Sequence, residues 1–81
     1  MAKILFFGRF SDLSDALDID LPSSVTDKPS LTTHLSSILP GFADLAALPD
    51  TRISVNMMVS MKEVEIGNDD EIAYMSALSG G

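Results

Sequence analysis

The chain has 81 residues, with 5 basic and 12 acidic side chains, for a net charge of −7 at neutral pH. A hydrophobic fraction of 46% and a charged fraction of 21% are those of an ordinary folded domain and argue against disorder. The length implies one domain, and the acidic balance disfavours nucleic acid and anionic membrane surfaces, both of which attract basic patches.

Cysteine is absent. That removes disulfides, thiol nucleophiles and zinc-thiolate sites, and fits a cytoplasmic protein. One histidine, His34, is too few for a self-contained histidine metal site, and no G-x-S-x-G turn presents a serine to it. The apolar start is too short for the hydrophobic region of a signal peptide. No apolar run approaches the roughly 20 residues of a membrane span.

Residues 3–7 read KILFF, a short apolar and aromatic run that predicts a strand buried on both faces. Gly8-Arg9 ends it, and residues 11–15 read as a polar turn with Leu13 as an anchor. In residues 16–21, Leu17, Ile19 and Leu21 alternate with Asp18 and Asp20. A period of two predicts a half-exposed strand with a solvated acidic face, and Pro22 stops it.

A helix is predicted over 28–39. Asp27 is a suitable N-cap, and Pro29 is tolerated in the first turn. Leu31, Leu35, Ile38 and Leu39 fall on one apolar stripe, with His34 at its margin. Pro40-Gly41 terminates the helix. Residues 42–48 predict a short helical turn with Phe42, Leu45 and Ala46 inward. A third strand is expected over 52–55, with Ile53 and Val55 inward. Asn56 tolerates a turn geometry. Residues 62–66 alternate weakly and predict a short strand. Residues 67–70, Gly-Asn-Asp-Asp, predict a turn, and residues 71–75 a last strand with Ile72 and Tyr74 on one face. The order describes an α+β roll with mixed strand pairing and one main helix on one sheet face.

After Glu71 the sequence runs IAYMSALSGG without a charged side chain. A terminal Gly-Gly arises by chance about once in 200 chains at ordinary glycine usage. Its chemistry is more specific than its rarity. A carboxylate on Gly81 can be activated as an acyl adenylate if an ATP-using partner threads the terminus into a narrow channel. Gly80 and Gly81 have no Cβ and keep that backbone slim. Residues 1–75 are therefore expected as the folded domain and 76–81 as a flexible arm.

KILFFGRFSDL at 3–13, the Val55-Asn56 pair and DDEIAYMSALSGG at 69–81 resemble the MoaD family, the small subunits of molybdopterin synthase. The resemblance runs the length of the chain and is clearest at its ends. It implies the ubiquitin-like β-grasp fold and a role as sulfur carrier, non-catalytic on its own. A MoeB-type enzyme would adenylate Gly81 with Mg-ATP, and sulfur from a donor protein would then displace AMP to leave a thiocarboxylate. The loaded tail would enter a MoaE-type large subunit, within a heterotetramer, and give sulfur to cyclic pyranopterin monophosphate (precursor Z) to build the molybdopterin dithiolene. The small subunit would bind no cofactor itself.

By the same resemblance, Gly81 is the acyl-bearing residue and Gly80 the slim residue before it. Phe7, Val59 and Met75 fall where the family places apolar docking residues, although Phe7 and Val59 read equally well as core. Leu78 adds an apolar contact in the arm. Methionine suits a surface that serves two partners in turn, which extends the reading to Met57 and Met58. Two departures stand out: Ser76-Ala77-Leu78 occupies the place of the family's proline pair, and Ser11-Asp12 that of its Arg-Glu pair. A ThiS-type carrier, a ubiquitin-like modifier joined through Gly81 and an acidic interaction module with an idle tail are the alternatives. The ThiS-type chains are usually shorter, without the segment 42–48.

Overall fold

The computed structural model describes residues 1–59 and 64–76. Five strands form one mixed sheet: β1 (Ala2–Phe6), β2 (Leu17–Ile19), β3 (Thr51–Val55), β4 (Met58–Val59) and β5 (Glu71–Ser76). Their order is β2-β1-β5-β3-β4. β1 and β5 run parallel at the centre, and every other neighbouring pair is antiparallel. A parallel pair needs a crossover connection. Here the first and last strands are the parallel pair, so the intervening chain makes the crossover.

That chain contains α1 (Lys28–Ile38) and α2 (Phe42–Ala46). α1 begins at Asp27, whose carboxylate accepts from the Ser30 backbone N–H at 2.9 Å. The Ser30 hydroxyl in turn takes the Asp27 backbone N–H at 3.1 Å. This reciprocal box satisfies two donors that the helix leaves open. Leu31 and Leu35 are fully buried against the sheet, as their spacing predicts. Ile38 departs from the predicted stripe and is 45% exposed. It is the last helical residue, and Leu39 turns inward in its place.

The core lies between the helices and one sheet face. Ile4 and Phe6 of β1, Ile72 and Tyr74 of β5 and Val55 of β3 meet Leu31, Leu35 and Phe42 there. Four rings form its centre, with Phe42 stacked edge-on to Tyr74 at 4.9 Å and Phe10 at 5.6 Å from Phe42. Each buried ring contributes on the order of 2 kcal/mol by leaving water.

Three expectations need correcting. β1 is not buried on both faces: Ala2, Ile4 and Phe6 face the core, whereas Lys3 and Phe7 are exposed. Both helices cover the same face, so nothing of this chain's described residues covers the other. The polar turn expected at 11–15 is instead a 3₁₀ turn at Gly8–Asp12. Gly8 adopts φ +60°, which reverses the chain early and drives Phe10 into the core. Finally, residues 64–66 form no strand. Ile66 is held by its N–H to the Thr26 carbonyl at 2.9 Å, and residues 62 and 63 lie outside the described residues. The edge strand comes earlier, at β4, because Asn56 and Met57 turn the chain back at once.

Candidate functional site

Side chains alternate along strands, so the residues between the core positions of β1, β3 and β5 all reach the uncovered face. The register aligns them across the sheet. Leu5 lies opposite Ala73, Ala73 opposite Ser54, and Ser54 opposite Val59. That row crosses four strands. One step along, Met75 lies opposite Arg52, and Phe7 is held beside it by a hydrogen bond from its N–H to the Tyr74 carbonyl at 2.9 Å.

The row has a low middle and high sides. Ala73 and Ser54 are small and buried despite facing outward. Leu5, Phe7, Met57, Val59 and Met75 rise around them, and Glu71 closes one end. The result is an apolar groove of about 420 Å³. Phe7 is 49% exposed and Val59 56%, so neither is core. Large apolar side chains left in water at one place mark an interaction surface more often than chance scatter does.

The β3–β4 hairpin supplies one wall. Asn56 and Met57 take φ of +51° and +70°, the geometry of a two-residue I′ turn. Asparagine tolerates it, as its sequence position suggested, but methionine is an unusual choice there. Asn56 ties the turn down: its Nδ2 donates to Asp70 Oδ1 at 2.8 Å, and its Oδ1 accepts from the Glu71 N–H at 2.9 Å. Met57 is thereby presented at the tip, 88% exposed. Met58 is 71% exposed but pairs with Val55, and so points to the opposite face of the sheet from the groove.

Gly8 shapes the other end. A Cβ on Gly8 would collide with Ser76 Oγ, so glycine permits the 3₁₀ turn to sit tight against the end of β5. Strand β5 includes Ser76, one residue beyond the expected domain boundary. Phe7, Val59 and Met75 thus come together on one groove, near the end of the last described strand. Leu78, Gly80 and Gly81 lie outside the described residues. Leu5, Ser54 and Ala73 were not singled out in the sequence. Ala73 is signalled only as a small residue between Ile72 and Tyr74 in β5, and Leu5 of β1 and Ser54 of β3 join it only through the strand register.

Two other hollows are built differently. Thr26, Asp27, Val64, Glu65 and Ile66 line one of about 520 Å³, but the Asp27 carboxylate there is already engaged as the helix cap. Ser24, Val25, Ser30, Thr33, His34 and Ser37 line one of about 400 Å³. Its hydroxyls on Thr33 and Ser37 bond back to nearby backbone carbonyls and that of Ser30 to the Asp27 carboxylate, and His34 sits half-buried at the helix margin. Among the described residues, no group of three or more His, Cys, Asp or Glu is placed to hold a metal. Among the same residues, no helix is long and apolar enough to cross a membrane.

Comparison with protein-family models and with curated proteins finds no match to the chain.

Proposed function

We propose that this chain is a β-grasp sulfur carrier of the MoaD type, the small subunit of a molybdopterin synthase. The observation that carries the proposal is the apolar groove, where Phe7, Val59 and Met75 converge on the uncovered sheet face near the end of β5. Its support in the chain is the strand order β2-β1-β5-β3-β4 with parallel central strands and the sequence Ser-Gly-Gly at 79–81.

In this function the groove is a handle and Gly81 is the reacting group. A MoeB-type activating enzyme grips the groove, and the Gly81 carboxylate attacks the α-phosphate of Mg-ATP held by that enzyme. Pyrophosphate leaves, and an acyl adenylate forms. Sulfide-level sulfur from a donor attacks the acyl carbon, the C–O bond to AMP breaks, and a thiocarboxylate remains. The same groove then docks on a MoaE-type large subunit, where the sulfur passes to cyclic pyranopterin monophosphate. Both partners need a common apolar surface, and methionines suit one because they repack easily. Gly80 and Gly81 lack Cβ atoms and so fit a channel that larger residues would block.

Deleting Gly81, or adding one residue after it, tests the proposal. Sulfur transfer to the pterin should disappear in both variants while the melting temperature stays unchanged. Transfer that survived either change would sink the proposal.

A further inference from the structure

We propose that Met57 and Met75 make the groove a peroxide-sensitive switch, in which oxidation of their thioethers to sulfoxides abolishes apolar docking. The inference rests on the groove's docking role in the proposed function.

The groove's walls are of two chemical kinds. Leu5, Phe7 and Val59 are inert hydrocarbon, whereas Met57 and Met75 carry oxidisable sulfur. The chain has 5 methionines and no cysteine, so thioethers are its only side-chain sulfurs. Met57 stands at the hairpin tip, 88% exposed, and its left-handed backbone is clamped by Asn56 rather than by any packing of its own side chain. Peroxide reaches it without opening the fold. Met75 is half-buried along the same groove and is reached second.

The step balances simply. A sulfur lone pair attacks one oxygen of hydrogen peroxide, the O–O bond breaks, and the other oxygen leaves as water after proton transfer. Sulfur loses two electrons and peroxide gains them. The product is a strong hydrogen-bond acceptor where an apolar contact stood. Burying it against a hydrocarbon partner leaves it without a donor, which disfavours docking. A methionine sulfoxide reductase, taking two electrons and two protons from a dithiol and releasing the oxygen as water, restores the thioether, so the switch is reversible.

Met58 provides an internal control. It is 71% exposed, so peroxide reaches it too, but it points to the other face of the sheet. Its oxidation leaves the groove unchanged.

The test treats the full chain with dilute hydrogen peroxide and maps sulfoxides by peptide mass. Retention on a hydrophobic-interaction column and affinity for a MoeB-type enzyme are read alongside. Oxygen should appear on Met57 before Met75. Retention should fall, and affinity should fall about tenfold or more, the scale of one lost apolar anchor. The Met58→Leu variant should lose affinity on treatment as the parent does, whereas in Met57→Leu with Met75→Leu treatment should leave affinity where it stood before and cost less retention than in the parent, the remainder coming from exposed Met1 and Met58. A loss of retention in that double variant equal to the parent's would overturn the switch. So would increased retention of the oxidised parent, which would signal unfolding instead. If the untreated chain fails to bind the enzyme, the carrier function fails, while the column result still decides the switch.

Discussion

Tyr74 is the chain's only tyrosine, and its hydroxyl lies 2.8 Å from Thr32 Oγ1 at the centre of the core. Burial pushes its phenol from 10.0 up to about 12, and the Thr32 hydrogen bond acts weakly the other way. The folded state therefore favours the neutral phenol. That preference is fully present below pH 10.0 and is lost as pH rises toward about 12. At ~1.4 kcal/mol per pKa unit, the loss across this window is on the order of 3 kcal/mol. Urea midpoints measured from neutral to alkaline pH should fall over this range, and Tyr74→Phe should flatten the fall. The same substitution should cost about 1 kcal/mol at neutral pH through the lost hydrogen bond. With one tyrosine and no tryptophan, phenolate absorbance reports the titration directly; a midpoint near the ordinary value would contradict the burial.

Phe7 and Val59 give the opposite kind of residue, exposed rather than buried. Phe7→Gln and Val59→Thr remove apolar surface from the groove and touch no core contact. Each should change stability by less than about 0.5 kcal/mol while weakening partner binding about tenfold. Equal losses in both measurements would mean that these side chains act structurally.

Among the elements, α1 depends most on a single side chain. Two hydrogen bonds from Ser30, first from its hydroxyl and then from its backbone N–H, hold the Asp27 carboxyl below its ordinary value of 3.8. A lowered carboxyl contributes stability above pH 3.8 and loses it as pH falls further. Asp27→Ala should lower the melting temperature by a few degrees at neutral pH, and the deficit should shrink in acid. A deficit independent of pH would place the effect elsewhere. Gly8→Ala should act on the 3₁₀ turn, because φ +60° is left-handed backbone that a Cβ strains, while the Ser76 hydroxyl it would meet can rotate away. A loss of about 1–3 kcal/mol is expected in chemical denaturation, and a neutral substitution would mean that the left-handed backbone is no restraint.

The elements were legible where one periodicity acted alone. The Asp-Leu alternation of β2, the capped stripe of α1 and the Ile72/Tyr74 face of β5 all follow from spacing. Phe10 was hidden because a 3₁₀ turn has too few residues to show a period, and its burial depends on the backbone of Gly8. The uncovered face of β1 was hidden because KILFF is apolar on both sides. Only the placement of both helices on one face decides which side stays wet. The groove was half legible: Phe7, Val59 and Met75 could be named one by one, but Ala73 and Ser54 form its floor through a register across four strands that no local pattern encodes.

At the scale of the whole molecule, the chain joins an apolar groove to a surface of net charge −7. In the proposed function the charge would steer a basic partner from a distance, and the groove would bind it on contact. In the proposed function both would serve the delivery of a carboxylate on Gly81, so the thiocarboxylate is the species to look for. The chain should be incubated with a MoeB-type enzyme, Mg-ATP and a sulfur donor, then treated with a thiol-alkylating reagent and mapped by peptide mass. Alkylation is needed because exchanging oxygen for sulfur changes the mass almost as one methionine oxidation does. With no cysteine in the chain, sulfur carriage predicts one ATP-dependent adduct, on Gly81. An unlabelled Gly81, with an enzyme shown to be active on another carrier, would contradict it.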